Sequence, residues 1–450
     1  MQLSFYPVVV GILLLVLSVA GVARAGQEAK PAFTVAAFDS MQVFREEEPP
    51  AGGAESVRLT AGLGETEGFQ VAVTNHSAKP LEGIRVSVEG LPGIEASVFA
   101  AGSVLVEKPG RSTGAPAGRH FDLLRPAGWE SIAPGAYRPY WIDLKVPAEG
   151  VAPGTRSGRV VVAAAGQTQS LPVSLDVRAF RLPAAPTLKL AFAYGKSWME
   201  TYYGRKLTPE EVRASHDVML DHRLGPVAMW GSGPELFEKE TLRRCLARGL
   251  NVVILTCGGD TDEAIERSLA ALEPKVALLR ELGALDRTYL FGYDEITMSH
   301  PERIPAMRKA YERFHALYPE IKRVNTSWPD DRLKGFVDIF VVPTSRYEPS
   351  MAREGEVWWY SVGADHLGME PDFRIDFPPA VQRGFFLADR PAGVKGHLYW
   401  AVQREWPGNK DLAGKDRPED EWRAGYENIN SKKWSQDNGG GNLFYPDGAG

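Results

Sequence analysis

Two patterns of apolar and polar residues divide the chain. Between about residue 33 and residue 180, short apolar and polar alternations are separated by turn residues, and helical periodicity is almost absent. Clear examples are residues 57–60, 68–73, 84–88, 140–144, 159–162 and 171–177. Strands of this length and spacing are typical of two packed antiparallel sheets. The first pattern therefore predicts a β-sandwich domain, with limits expected at residues 26–182.

The second pattern begins after residues 182–186, a linker that its prolines stiffen. Short apolar runs there alternate with helical periodicity, which is typical of a parallel sheet. Eight runs are predicted as strands: 188–192, 226–230, 251–255, 288–292, 323–326, 337–342, 357–360 and 395–400. Helical patterns lie between most of them, at 208–223, 234–248, 262–282, 305–317 and 379–388. The chain is predicted to be multidomain, an all-β sandwich followed by a (β/α)8 TIM-like barrel at 187–450 that ends in a loop region.

The first 25 residues have the pattern of a signal peptide. An apolar core from about residue 8 to residue 22 precedes the small-x-small sequence Ala23-Arg24-Ala25, which is typical of a cleavage site. We therefore expect export to the periplasm or the medium, and no stable membrane insertion after cleavage. The alternative is an uncleaved anchor, because residues 1–7 contain no Lys or Arg.

Composition and charge limit the kinds of molecule that the protein is expected to bind. The chain is 44% hydrophobic and 24% charged, with a formal net charge of −6 and no long block of either sign. Nucleic acid is therefore not an expected partner, and a neutral or weakly charged substrate suits this surface better. The two cysteines and eight histidines show no metal-ligand spacing, and no Gly-x-Gly-x-x-Gly follows a strand. No metal and no cofactor are predicted.

Two adjacent carboxylates mark the end of the fourth predicted barrel strand. Asp294 and Glu295 follow the apolar run 288–292, which predicts that they lie at the carboxyl face, where barrel enzymes carry catalytic groups. Tyr and Trp there can stack on a sugar ring while their polar edges bond its hydroxyls. The candidates for binding substrate are Tyr293, Asn325, Trp328, Tyr347, Trp358, Tyr360, Tyr399 and Trp400. Because side chains alternate along a strand, Trp358 and Tyr360 are expected on one face and Trp359 on the other.

Glycoside hydrolysis by a protein nucleophile needs a second carboxyl group about 5 Å from the acid, usually on another strand. Glu356 is predicted at the amino end of its strand, which is the wrong end, whereas Asp365 and Glu405 follow strands and could reach the mouth. Adjacent acids favour a different division of roles, in which the substrate's own 2-acetamido oxygen attacks the anomeric carbon. One carboxylate then orients that group, and the other protonates the leaving oxygen.

Seven motifs, in this order, resemble glycoside hydrolase family 123. They are FDLLRP (121–126), YWIDLKVP (140–147), PGTRSG (153–158), YDE (293–295), EVWWY (356–360), GVKGHLYW (393–400) and GNLFYP (441–446). The resemblance implies a retaining exo-β-N-acetylgalactosaminidase that acts through an oxazoline intermediate on β-linked N-acetylgalactosamine in a glycan or glycoconjugate. By the same resemblance Asp294 positions the acetamido group, and Glu295 serves as acid and then as base. Ile296 departs from the Pro expected after the pair.

Two alternatives stay open at this point. The first is a carbohydrate-binding or scaffold protein on a degenerate barrel. The second is a glycosidase for a sugar without a 2-acetamido group, with Asp365 or Glu405 as the nucleophile. Hydrolysis of an aryl β-N-acetylhexosaminide distinguishes the enzyme from the binding protein.

Overall fold

A computed structural model describes residues 31–107, 109–110, 114–128, 130–229, 233–361, 373–403 and 438–445. The predicted signal peptide, residues 1–25, lies outside these ranges. The first part of the described chain forms nine strands: β1 (Phe33–Asp39), β2 (Val57–Leu63), β3 (Thr66–Asn75), β4 (Arg85–Glu89), β5 (Glu95–Val106), β6 (Gly118–Pro126), β7 (Tyr137–Lys145), β8 (Gly154–Ala164) and β9 (Gln167–Arg181).

These strands form two sheets that face each other. The five-stranded sheet has the order β1-β3-β7-β5-β6 and is antiparallel throughout. The four-stranded sheet has the order β2-β9-β8-β4, with β2 parallel to β9. Buried apolar residues alternate along the strands, as at Ile142 and Leu144 of β7 and at Val173 and Leu175 of β9. Their side chains meet in one core, so the predicted β domain is confirmed as two facing sheets.

Eight parallel strands follow and curve into a barrel. They are β10 (Lys189–Ala193), β11 (Pro226–Val227), β12 (Val253–Cys257), β13 (Thr288–Gly292), β14 (Lys322–Thr326), β15 (Ile339–Pro343), β16 (Val357–Ser361) and β17 (Gly396–Tyr399). The hydrogen-bonded order is β11-β10-β17-β16-β15-β14-β13-β12, so the first strand pairs with the last. Within the described ranges only the seam between β11 and β12 lacks a ladder. All eight predicted strands are present, in a nearly closed barrel.

Alternate residues of these strands fill the barrel interior. They are Ala191, Ala193, Val227, Met229, Val252, Ile254, Tyr289, Phe291, Val324, Ile339, Val341, Trp358, Tyr360 and Leu398. Trp358 and Tyr360 both point inwards, whereas Trp359 packs outside against Phe385 and Val394. The predicted alternation of these three aromatic residues is confirmed.

The helices on the outside are unevenly spread. They are α1 (Lys196–Tyr203), α2 (Pro209–Asp221), α3 (Lys239–Ala247), α4 (Asp262–Ala270), α5 (Glu273–Glu281), α6 (Ile304–Leu317), α7 (Pro349–Glu354) and α8 (Pro379–Ala392). The connection from β14 to β15 is fully described and contains only a 3₁₀ turn, Asp331–Leu333. Pro329 and Gly335 leave too few residues between them for a stable helix. A barrel is therefore found, but not the regular (β/α)8 alternation that the sequence predicted.

The outer layer buries both cysteines. Cys245 of α3 and Cys257 of β12 belong to the apolar cluster between helices and strands, and neither is in a disulfide. Burial raises the pKa of the Cys245 thiol to about 11 and that of Cys257 to about 12, so both stay protonated at neutral pH. The two thiols are packing residues and not a disulfide.

The sheets and the barrel are in contact. Asp122 of β6 accepts a hydrogen bond from the Tyr445 hydroxyl at 2.5 Å, and Asp376 accepts one from the Gly110 N–H at 2.6 Å. Burial raises the pKa of Asp122. The last sandwich strand ends at Arg181 and the first barrel strand begins at Lys189, whereas the limits 26–182 and 187–450 stay predictions. In the described ranges no helix is long and apolar enough to cross a bilayer.

Candidate active site

The acidic pair lies at the carboxyl edge of the barrel, directly after β13. Gly292 ends that strand so close to β12 that a Cβ there would lie 2.4 Å from the carbonyl oxygen of Cys257. Only glycine fits at this distance, which brings the two strands together before the chain turns. Asp294 and Glu295 follow and are both half-buried, so solvent or a ligand can reach them.

The backbone at the pair is strained. Tyr293 has a φ of 54° and Glu295 a φ of 49°, in the left-handed region that non-glycine residues rarely adopt. The Nδ2 group of Asn325 donates to the carbonyl oxygens of Gly292 and Tyr293, at 2.8 and 3.0 Å. The buried Tyr311 hydroxyl donates to the Val324 carbonyl at 2.8 Å and lies 3.1 Å from the same Gly292 oxygen. Side chains of neighbouring elements thus hold the turn in a conformation that costs about 1–3 kcal/mol per strained residue, which is typical of functional sites.

Hydroxyl groups contact both carboxylates. Thr326 Oγ1 donates to Asp294 Oδ1 at 2.5 Å and accepts the backbone N–H of Glu295 at 2.8 Å. The Tyr360 hydroxyl donates to Glu295 Oε1 at 3.0 Å, and Ser299 Oγ lies 3.2 Å from Oε2. Burial, and then the charge of Glu295, raises the pKa of the Tyr360 phenol well above its ordinary value, so it remains a donor. Two adjacent carboxyl groups with different partners can take different roles in proton transfer.

Three of the residues predicted to bind substrate lie around this turn. Tyr360 reaches the pair through its hydrogen bond to Glu295. Asn325 is fully buried and supports the backbone instead of pointing into the mouth. Tyr293 turns to the outer side, where its hydroxyl donates to the Gly259 carbonyl at 2.6 Å and the Arg303 guanidinium lies 5.2 Å from its ring centroid. Only Tyr360 of the three touches a carboxylate of the pair in the described contacts.

Trp358 and Tyr347 lie away from the pair. Trp358 is fully buried in the amino-terminal half of the barrel, 4.9 Å from the Tyr289 ring centroid, and its Nε1 donates to Glu356 at 3.0 Å. Tyr347 packs outside the barrel with its ring edge-on to Trp359 at 5.1 Å. Alternation along β16, together with depth in the barrel, accounts for the position of Trp358. The structure does not bring either residue to the acids.

Tyr399 and Trp400 pack in an outer cluster with Phe192, on the face of the sheet opposite the barrel interior, and Trp328 follows β14. The Tyr399 hydroxyl is buried and accepts the Gly441 N–H at 2.9 Å. Trp400 is half-buried and packs on the same glycine, where a Cβ would lie 2.5 Å from its ring. Trp328 is half-buried after β14, with the Arg346 guanidinium 5.5 Å from its ring centroid. Their roles in binding substrate stay predictions.

Of the other carboxyl groups considered from sequence, Glu356 alone belongs to the described residues. Asp365 and Glu405 lie outside the described residues. Glu356 lies at the amino end of the barrel, as predicted, and bridges Lys189 and Lys322 at 2.8 Å each. In the same ranges no three His, Cys, Asp or Glu side chains converge in a way that could hold a metal ion.

Sequence reasoning missed three residues near the site. Thr326 contacts both members of the pair, and Trp198 of α1 and Met298 are half-buried against the interior cluster. Thr326 follows Val324 by two positions and shares its inward face, so strand alternation could have identified it. Trp198 lies in the short helix α1 and Met298 in a turn, so strand alternation does not give the direction of either side chain.

Comparison with known proteins supports the fold. No protein-family model matches the chain. No curated protein matches it significantly. The structure is similar to a family 123 glycoside hydrolase from Clostridium perfringens, studied for glycolipid glycan hydrolysis, with a TM-score of 0.68 and 14% identity over 92% of this chain and 83% of that one. The fold implied by the resemblance to family 123 in the sequence motifs is therefore confirmed.

Two further solved structures are only weakly similar. A β-glucuronidase from Bacteroides uniformis has a TM-score of 0.32 and 9% identity over 81% of this chain and 45% of that one. The β-glucuronidase 3 of the same organism has a TM-score of 0.31 and 13% identity over 82% and 51%. Scores of this size do not establish a common fold.

Proposed function

We propose that the protein is a glycosidase that uses Asp294 and Glu295, and more specifically a retaining exo-β-N-acetylgalactosaminidase. The observation that carries the proposal is the strained turn after β13, which presents two adjacent, half-buried carboxyl groups with different hydroxyl partners. A fold similar to that of a family 123 glycoside hydrolase supports it, as do the sequence motifs. The substrate is a glycan or glycoconjugate that ends in β-linked N-acetylgalactosamine.

The mechanism uses the substrate as its own nucleophile. The 2-acetamido oxygen bonds to the anomeric carbon while the glycosidic C–O bond breaks, and Glu295 gives its proton to the leaving oxygen. Asp294 accepts the acetamido N–H and stabilises the positive charge that develops on the oxazoline. Water then attacks the anomeric carbon, Glu295 takes its proton, and the acetamido group is restored. Two inversions at one carbon give overall retention.

A panel of aryl β-glycosides tests the reaction. The wild type is expected to hydrolyse an aryl β-N-acetylgalactosaminide, and Glu295→Gln should lose most of that activity. Glu348→Gln is the matched control, because this glutamate is exposed before α7 and outside the site. Activity confined to sugars without an acetamido group would point to a nucleophile such as Asp365 or Glu405, and no hydrolysis would favour a binding protein.

An intermediate analogue tests the role of Asp294. A stable thiazoline mimic of the oxazoline should inhibit the wild type well, because analogues of a reactive intermediate resemble the flanking transition states. Asp294→Asn keeps the shape of the side chain but weakens charge stabilisation, so turnover should fall about 10²-fold or more and the mimic should bind less tightly. Equal affinity of wild type and variant would remove Asp294 from this role.

Export is a second part of the proposal. The apolar core at residues 8–22 and the Ala23-Arg24-Ala25 sequence support a signal that is cleaved before Gly26. Amino-terminal sequencing of protein recovered from the periplasm or the medium should then begin at Gly26. A chain that retains residues 1–25 in the membrane fraction would indicate an anchor instead.

A further inference from the structure

One buried hydroxyl contacts both members of the acidic pair. Thr326 ends β14 on the inward face of the barrel and is only 2% exposed. Its Oγ1 accepts the backbone N–H of Glu295 at 2.8 Å and donates to Asp294 Oδ1 at 2.5 Å. No motif in the sequence singles out Thr326. Its side chain nevertheless contacts both Asp294 and Glu295.

The Thr326 hydroxyl donates in one of these two hydrogen bonds and accepts in the other. A threonine hydroxyl has one proton and two lone pairs. The Glu295 N–H occupies one lone pair of Thr326 Oγ1, and the hydroxyl proton is donated to Asp294 Oδ1. A separation of 2.5 Å lies in the range of charge-assisted O–H···O⁻ bonds. A bond of this kind favours the ionised form of Asp294.

The same contact fixes geometry. Threonine is β-branched and has few allowed rotamers, and burial inside the barrel restricts Thr326 further. Its acceptor lone pair holds the Glu295 N–H in the strained conformation with φ of 49°, and its proton holds the Asp294 carboxylate. Both acids are thereby oriented by a single rigid group on the neighbouring strand.

Several titratable side chains of the described residues lie near the acidic pair. Glu295 lies on the same turn as Asp294, and Tyr360 faces them from β16. Cys257 of β12 lies behind the turn at Gly292 and stays protonated. Arg303 lies on the outer side, against the Tyr293 ring. Thr326 of β14 carries no charge, and its hydroxyl donates to the Asp294 carboxylate but only accepts from the Glu295 backbone. This difference distinguishes the two carboxyl groups.

We propose that Thr326 is a positioning residue that keeps Asp294 aligned and anionic, and so leaves the transferable proton of the pair on Glu295. The proposal rests on the glycosidase function proposed above. It predicts that the hydroxyl, and not merely the volume of this side chain, sets the pH range in which the pair works.

The pH dependence of kcat/KM on an aryl β-N-acetylgalactosaminide tests the proposal. Thr326→Val keeps the shape but removes the hydroxyl, so kcat/KM should fall about 10-fold or more and its acid limb should move up by about one pH unit. Thr326→Ser retains the hydroxyl and should restore the limb. Thr288→Val is the matched control, since it deletes a buried threonine hydroxyl, bonded to the Ala284 carbonyl, at the amino end of β13. It should not move the limb.

A measurement without substrate separates this inference from the proposed function. In protein with ¹³C-labelled aspartate, the Asp294 carboxyl signal is identified by its loss in Asp294→Asn, and its titration is followed by NMR. The Thr326→Val protein should titrate Asp294 about one pH unit higher than the wild type does. If Asp294 shifts in this way but the wild type hydrolyses no aryl N-acetylhexosaminide, the role of Thr326 is supported and the proposed function is refuted. An unchanged titration in folded Thr326→Val would overturn the inference.

Discussion

The two ends of the barrel hold carboxylates in opposite ways. At the amino end, Glu356 is bonded to the ammonium groups of Lys189 and Lys322 and to the Trp358 indole. Burial alone would raise the pKa of Glu356, but these hydrogen bonds lower it to about 2. At the carboxyl end, Asp294 and Glu295 are bonded to the hydroxyls of Thr326 and Tyr360.

The difference separates a structural carboxylate from a reactive one. A carboxylate held between two cations stays ionised through the working pH range and cannot exchange a proton there. The pair at the carboxyl end is held by neutral hydroxyls instead of cations, and within it Glu295 is the member proposed to transfer a proton. Backbone strain is also found at the carboxyl end of the barrel. Five non-glycine residues in the described ranges have a positive φ, and two of them, Tyr293 and Glu295, lie on either side of Asp294.

The largest expected effect comes from removing the acid at the carboxyl end. Glu295→Gln should lower turnover by about 10²–10⁴-fold for poor leaving groups and much less for activated ones, because only the former need full protonation. The measurement is kcat on aryl glycosides whose leaving groups differ in pKa. Equal losses across the series would show that Glu295 is not the acid, and the contrast between the two ends would fail.

A smaller effect is expected from the support of the strained turn. Asn325→Ala removes the donor to the Gly292 and Tyr293 carbonyls, so turnover should fall about 10-fold through misplacement of the acids. Asn251→Ala is the matched control: the Asn251 Nδ2 also donates to two backbone carbonyls, at the amino end of the barrel. Both variants should lose stability, but turnover of the folded protein should drop in the first alone.

The smallest effect on turnover is expected at the amino end. Glu356→Gln should leave kcat unchanged and lower the free energy of unfolding by about 1–2 kcal/mol, a modest loss because Lys322 is half exposed. A fall in kcat of the folded variant comparable to that of Glu295→Gln would break the comparison. Chemical denaturation measures the stability.

The pH dependence of this loss has a definite sign. The folded pKa of Glu356, about 2, lies below the ordinary value of about 4.3, so its contribution is fully present above that value and is lost as the pH falls towards 2. The difference in stability between wild type and Glu356→Gln should therefore shrink between about pH 5 and pH 2. A difference that grows on acidification would refute the ion-pair explanation.

The sequence predicted the parts of the molecule that periodicity governs. The eight strands, the end of β13 at the acidic pair and the opposite faces of Trp358 and Trp359 all follow from alternation. The regular (β/α)8 alternation is not found after β14, where the sequence shows no helical pattern and Pro329 and Gly335 shorten the available segment.

The details of the site depend on the direction in which each side chain points, and the position of a residue along a strand does not give that direction by itself. Tyr347 follows β15 but turns outwards to Trp359, and the Tyr399 hydroxyl bonds to Gly441, distant in sequence. Thr326 was identifiable by alternation, but its double contact also requires the left-handed turn at Glu295. Tyr and Glu are residue types that do not signal a left-handed φ, so the strained turn at Tyr293 and Glu295 could not be predicted.

The most direct test of the account is a pair of aryl β-galactosides that differ only at C2. One carries an acetamido group and the other a hydroxyl, so the second lacks the internal nucleophile that the pair of acids is proposed to assist. Initial rates and trapping of intermediates are measured on the wild type. The acetamido substrate should be hydrolysed with retention, and its hydroxyl counterpart not at all. Comparable rates on both, or a covalent glycosyl-enzyme, would show that a protein carboxylate attacks and would contradict substrate-assisted catalysis.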